Sequence, residues 1–191
     1  MDNERTIRWI FLTFSAVLIG LEAIALTMRS HYKYDFIFLM LLLFGVFMAR
    51  KIIALYWAHY LFFAMFLLIH DLGMFRLYER FPFGLEYDYW VHILFGIVSS
   101  FIIMHFYSSK KGHGRWHVII LSIFLILGFS AAHEIYEFTG AIFLGEGEGV
   151  LFIGAGDLDE WDTQKDMLNN FLGALIGSIL YYPYIKGRDD E

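Results

Sequence analysis

The chain has 191 residues, of which 59% are hydrophobic and 20% aromatic, and its formal net charge is −6 at pH 7. A water-soluble domain of this length has too little interior to bury so many apolar side chains, so the composition predicts a protein embedded in a lipid bilayer. An acidic chain without a basic patch is not a nucleic-acid-binding protein, and the absence of cysteine excludes disulfides and thiolate metal sites.

Apolar segments in chain order predict a single all-α transmembrane domain, a polytopic helical bundle of about six spans, because about 20 helical residues cross a bilayer. The predicted spans are residues 7–27, 35–49, 52–70, 88–107, 116–138 and 166–185. Only Arg50 and Lys51 separate the second span from the third. One helix through both would be roughly 50 Å long, so we expect a tight hairpin at Arg50–Lys51. Whether residues 35–49 cross the whole bilayer stays open.

Lysine and arginine are distributed unequally between the two sides of the predicted bundle. The segments on the side of the termini carry nine of them and the opposite segments carry five. This bias predicts a multi-pass membrane protein with both termini in the cytoplasm. The expected partner is the lipid bilayer, together with a lipid or small-molecule ligand. A homo-oligomer is left open.

Glu22 lies in the outer half of the first span, and further ionisable and amide side chains collect where four other spans meet the outer side of the membrane. They are His70 and Asp71 at the end of the third span, Asp88 and His92 at the start of the fourth, His133, Glu134 and Glu137 at the end of the fifth, and Asp162, Gln164, Asp166 and Asn170 at the start of the sixth. Ionisable groups inside a membrane are costly and mark functional sites by default. The convergence therefore predicts a polar site near the outer leaflet.

The sixth span shows how such residues share one face. Asp166 and Asn170 are four residues apart, and Gly173 and Gly177 continue along the same side. Small residues at this spacing let helices approach closely, so we expect the glycines to press this helix into the bundle and to aim Asp166 and Asn170 inward. A structural alternative remains for single residues, since acids also favour helix N-termini and His92 alone is typical of a hydrogen-bonded interior histidine.

Three motifs, "YDYWVH…G", "HEIYEF" and "GDLDEWDTQKDM", resemble the YjdF-like bacterial and archaeal membrane proteins, a family of unassigned function. The resemblance covers roughly residues 61–178. Its matching positions are His70, Gly73, Pro82, Tyr87, Asp88, His92, Gly96, Glu134, Glu137, Asp157, Trp161, Asp162, Thr163, Gln164, Asp166 and Met167. The segment "DMLNNFLGALIG" also resembles the last helix of VanZ-like proteins, which are linked to glycopeptide-antibiotic resistance. These resemblances support the location of the site and imply no reaction.

Histidine and carboxylate ligands suit a divalent metal such as Zn, Mn or Fe, or Mg where carboxylates dominate. One interpretation is a metal-dependent membrane hydrolase or transferase that acts on a lipid or envelope substrate. Its expected metal ligands are His70, Asp88, His92, His133 and Asp166, its catalytic residues are Glu134, Glu137 and Asp162, and its further polar groups are Asp71, Gln164 and Asn170. No HExxH motif is present, so enzyme activity stays open. The alternatives are a proton- or cation-coupled transporter and a non-catalytic scaffold with a structural polar or metal site.

Overall fold

The protein is a helical bundle, seen in a computed structural model that describes residues 2–28, 35–75, 77–78, 80–110, 114–144 and 161–185. The helices are α1 (Asn3–Met28), α2 (Asp35–Ala49), α3 (Trp57–Leu72), α4 (Tyr87–Ser108), α5 (Arg115–Leu144) and α6 (Asp162–Tyr181). Within these residues there is no strand, which confirms the all-α fold. Asp157 of the third motif lies outside the described residues.

The helices differ in their capacity to cross a membrane unaided. By length and composition, α1, α4 and the Arg115–Thr139 part of α5 are long and apolar enough to span a bilayer. The helices α2 and α3 are apolar but have 15 and 16 residues, which makes each roughly 22–24 Å long. A membrane bundle is therefore confirmed, and full spanning by α2, α3 and α6 stays a prediction.

The hairpin between α2 and α3 turns at Arg50 as expected, but α3 begins at Trp57 and not at residue 52. The backbone N–H of Leu55 donates to the Arg50 carbonyl at 2.7 Å, and Ala54 adopts a left-handed φ of 49°. The Asn3 side chain accepts from the Trp57 N–H at 2.8 Å and donates to the Leu55 carbonyl at 3.0 Å. The apolar residues 52–56 therefore belong to the turn, and their hydrophobicity alone overestimates the length of α3.

The closest helix pair is α4 and α6, which meet through the predicted glycines. A Cβ atom added to Gly96 would lie 2.6 Å from the backbone nitrogen of Ala174, and one added to Gly173 would lie 2.9 Å from the carbonyl carbon of Ile93. Gly177 is buried in the same interface. The prediction that glycines seat the sixth helix in the bundle is confirmed. This approach brings the N-terminal part of α6 against the N-terminal part of α4.

Candidate functional site

The polar residues of α4 and α6 meet at the imidazole of His92. Its Nε2 atom lies 3.5 Å from Oδ2 of Asp88, one turn earlier on α4, and 3.5 Å from Oδ2 of Asp166 on α6. His92 is 9% exposed and Asp166 is 3% exposed. A buried imidazole is thus held between carboxylates from two helices.

Asn170 fixes the other side of this ring. Its Nδ2 atom donates to Nδ1 of His92 at 3.0 Å and to Oγ of Ser130 on α5 at 2.6 Å. Because Nδ1 accepts a hydrogen bond, the proton of the neutral ring is on Nε2 and faces the two carboxylates. Ser130 is not among the residues that the sequence predicts for the site. Its signal was the four-residue spacing to Glu134, which puts both on one face of α5.

An acidic group lies beside this histidine. Carboxylate oxygens of Glu134, Asp162 and Asp166 lie within 4.8 Å of one another, and an oxygen of Asp88 lies within the same distance of Asp166. Among the described residues, Oδ1 of Asp166 and Oε1 of Glu134 are buried and have no hydrogen-bond partner. Burying a carboxylate without a counter-charge costs roughly several kcal/mol of folding free energy. These groups therefore require protons or a cation to neutralise them.

Two overlapping triads offer ligand atoms for such a cation, and Asp166 belongs to both. One consists of Asp88, His92 and Asp166, and the other of Glu134, Asp162 and Asp166; in each, the ligand atoms lie within 4.8 Å of one another. Mixed imidazole and carboxylate donors suit Mn, Fe or Zn, whereas the all-carboxylate triad suits Mg or Mn. A carboxylate shared between two triads also fits the geometry in which two metal ions lie close together.

The predicted ligand His133 and the predicted catalytic residue Glu137 pair with each other. Nε2 of His133 lies 3.3 Å from Oε1 of Glu137, and its ring stacks on Phe38 of α2 with 5.9 Å between centroids. Among the described residues, neither triad contains these two side chains. The structure therefore brings Glu134, and not Glu137, to the shared carboxylate Asp166.

The remaining predicted residues lie around the triads and belong to neither. The imidazole of His70 packs edge-on against the ring of Tyr78, with 6.1 Å between the ring centroids. His70 also lines a cavity next to His92. Asp71 is completely buried at the end of α3. Gln164 is exposed on the first turn of α6, so the structure does not bring it into the buried cluster.

A cavity of about 520 Å³ begins at this cluster and extends between α2, α3, α4 and α5. Its walls are mostly apolar, and its polar end is formed by His70, His92, Ser130, His133 and Asn170. The polar site is therefore connected to a space large enough for part of a small molecule.

A second histidine cluster lies at the opposite end of the bundle. Nδ1 of His105 is 3.0 Å from the hydroxyl of Tyr181, and its Nε2 is 3.0 Å from the carbonyl of Ala54. The ring of His59 is 4.7 Å from that of His105. This cluster is not predicted from the sequence, since His105 and Tyr181 near helix ends are typical of ordinary interfacial residues.

Comparison with known proteins agrees with the membrane fold. The model of a family described as "Predicted membrane protein (DUF2238)" matches residues 7–187. The chain belongs to the DUF2238 family. A curated relative, the inner membrane protein YjdF of Escherichia coli (strain K12), is 30% identical over 110 residues, which cover 51% of this chain and 52% of the relative. This DUF2238 chain thus spans about half the length of the curated relative it matches.

No solved structure matches the chain. The family and the relative support the YjdF-like resemblance and a membrane location. The VanZ-like resemblance is carried by the last helix alone and stays a prediction.

Proposed function

We propose that this chain is a metal-dependent membrane hydrolase whose metal binds between α4 and α6. The observation that carries the proposal is the pair of triads that share the buried Asp166, with buried oxygens of Asp166 and Glu134 that lack hydrogen-bond partners among the described residues. A divalent cation would neutralise this cluster and use those oxygens as ligands. A structural network without metal would have to keep the acids protonated.

In this proposal, Asp88, His92 and Asp166 hold the metal. Glu134 is the general base, because its carboxylate lies close to Asp166, whereas the carboxylate of Glu137 pairs with His133. A divalent metal held there would supply Lewis-acid activation of water, and Glu134 would accept a proton from the attacking water and return it to the alcohol that leaves as the ester or phosphoester bond breaks. Asp162 completes the second triad and would position that water or a second metal.

Metal binding imposes a condition on Asn170. A metal on Nε2 of His92 requires the ring proton to move to Nδ1, where the Asn170 amide nitrogen now donates. If the Asn170 amide turned over about its last torsion, its Oδ1 atom would accept the Nδ1–H proton. Metal-bound histidines are oriented in this way by a carbonyl or carboxylate on the far nitrogen.

The test is metal analysis of detergent-purified protein, loaded in turn with Zn, Mn, Fe and Mg. We expect stoichiometric binding of at least one of these ions in the wild type, and loss of binding in His92→Ala and Asp166→Asn. Two matched controls should keep the metal: His117→Ala, an exposed histidine on α5, and Glu86→Gln, a carboxylate before α4 that makes no capping hydrogen bond.

Folding is followed in every variant by helical circular dichroism and gel filtration. A well-folded wild type that binds none of the four ions would overturn the metal site. The cluster would then be a proton-sharing network that stabilises the bundle, as in the scaffold alternative.

A proton- or cation-coupled transporter is the second candidate, and the cluster of His59 and His105 favours it. The histidine cluster and the outer cluster place polar groups at both ends of the α4–α6 interface. The buried residues Ser100 and Ser178 lie between the two clusters. Transport predicts an ion flux through reconstituted liposomes that is lost in His59→Phe. The hydrolase requires no such flux.

A further inference from the structure

The cavity beside the site is elongated along the bundle. His92 and Ile103 both line it from α4, and the rise between these positions is roughly 16 Å. Its volume of about 520 Å³ lies within the usual range for small-molecule sites, roughly 300–1,000 Å³. An occupant that fills it must therefore be long and narrow.

The lining changes in polarity along this length. Three imidazoles, one amide and the hydroxyl of Ser130 lie at the end next to the metal triads, where His92 and Asn170 are shared by site and cavity, and Tyr136 lines the cavity as well. The deeper walls are aliphatic and aromatic, as at Val46 and Ile103, with the hydroxyl of Ser99 as an exception. A fitting occupant has a polar head at the site and a hydrocarbon tail below it.

The cavity opens sideways between α2 and α5. These two helices flank it without packing along each other in the described part of the chain, and their link at the polar end is the stack of Phe38 on His133. Phe129 and Ala132 on α5 line the cavity and are also exposed at its edge, Phe129 by 59%. In a membrane bundle such a side opening faces lipid, so an occupant can enter from the bilayer.

We infer that the cavity holds one acyl chain of a membrane phospholipid and thereby presents the lipid's phosphoester to the His92–Asp166 site. The second acyl chain stays in the bilayer, because the opening between α2 and α5 is lateral. Imidazoles and a divalent cation both favour a phosphate head. This inference rests on the proposed hydrolase and names its substrate class.

The experiment uses the full chain in nanodiscs of phosphatidylethanolamine and phosphatidylglycerol. A small fraction of the phosphatidylethanolamine carries a photoactivatable diazirine at the end of one acyl chain. After illumination, adducts are mapped by mass spectrometry. We expect adducts at the deep cavity residues Val46 and Ile103. Adducts confined to lipid-facing side chains of the bundle would overturn the inference.

The variant Ala132→Phe places a ring in the opening and should reduce the deep adducts to the level found on the outer surface. The control Ala16→Phe makes the same change on an exposed position of α1 and should leave them unchanged. If Ala132→Phe does not fold, Val46→Phe narrows the same cavity from α2. Deep adducts that persist in a folded cavity variant, or adducts between two copies of the chain at these residues, would contradict the inference.

The same labelling in Asp166→Asn separates this inference from the proposed function. Deep adducts should persist in that variant, because the apolar walls that hold the tail are unchanged. Tail adducts in a protein that binds no metal would support the lipid site and refute the hydrolase. Metal binding without tail adducts would support the metal site and refute the phospholipid.

Discussion

Replacing Asn170 tests whether His92 is a metal ligand. Leucine has nearly the same shape as asparagine but cannot hydrogen-bond to Nδ1 of His92 or to Oγ of Ser130, which now lie 3.0 and 2.6 Å from the amide nitrogen. Residues that orient a ligating histidine typically contribute about 10–100-fold to metal affinity, which corresponds to about 1.4–2.7 kcal/mol. We expect Asn170→Leu to weaken metal binding by that factor.

Asn170→Asp gives the opposite expectation for affinity. An aspartate accepts the Nδ1–H proton of a metal-bound His92 at least as well as an amide oxygen, so metal affinity should be kept or increased. Without a metal, the new carboxylate adds a charge to a position that is 1% exposed and should destabilise the bundle. The metal affinity of both variants is measured by isothermal titration calorimetry or by competition with a chelating dye.

The result that would refute this reasoning is equal metal affinity in the wild type and in a folded Asn170→Leu variant. His92 would then not ligate through Nε2 with its far nitrogen held by Asn170. Gel filtration and helical circular dichroism must first show that the leucine variant is folded, since an unpaired buried donor or acceptor costs roughly 1–3 kcal/mol.

Three further predictions concern the bundle and its ion, each measured as thermal unfolding in detergent. Gly173→Ala should destabilise the protein by about 1–3 kcal/mol, because the added Cβ overpacks the contact with α4, whereas Gly45→Ala, where a Cβ meets nothing within 4 Å, should be neutral or slightly stabilising. Asn3→Ala should cost about 0.5–2 kcal/mol by removing the cap on the Trp57 N–H, and an unchanged melting temperature would show that this cap contributes nothing. A chelator should lower the melting temperature of the metal-loaded wild type and leave that of Asp166→Asn unchanged; an equal effect on both would argue against binding at Asp166.

Periodicity predicted the parts of the site that depend on one helix at a time. The four-residue spacing of Asp166 and Asn170, continued by Gly173 and Gly177, indicated which face of α6 enters the bundle, and the close contact with α4 confirms it. The all-α membrane fold followed from composition because no soluble core of this size accommodates such a sequence. These inferences need only helical geometry and the cost of exposing apolar or polar groups to the wrong solvent.

The residue spacing within one helix does not predict which side chains of different helices meet. Glu134 and Glu137 are three residues apart on α5, yet one approaches Asp166 and the other pairs with His133. Which of them meets α6 depends on a rotation of α5 that is set by packing, and single-sequence patterns do not report it. The hydroxyl of Ser130 likewise resembles any serine in a membrane helix until its 2.6 Å contact with Asn170 is seen.

The low apolar content of α6 has a consequence for how the site and the bundle depend on each other. Asp166, Asn169 and Asn170 are all buried in this helix, although such side chains are costly inside a membrane. Gly173 brings α6 close enough to α4 for Asn170 to reach His92, and that contact in turn satisfies part of the polar cost. Packing and polar pairing at α6 are therefore one interaction. A change that separates α6 from α4 by a fraction of an ångström should weaken the site before it unfolds the bundle.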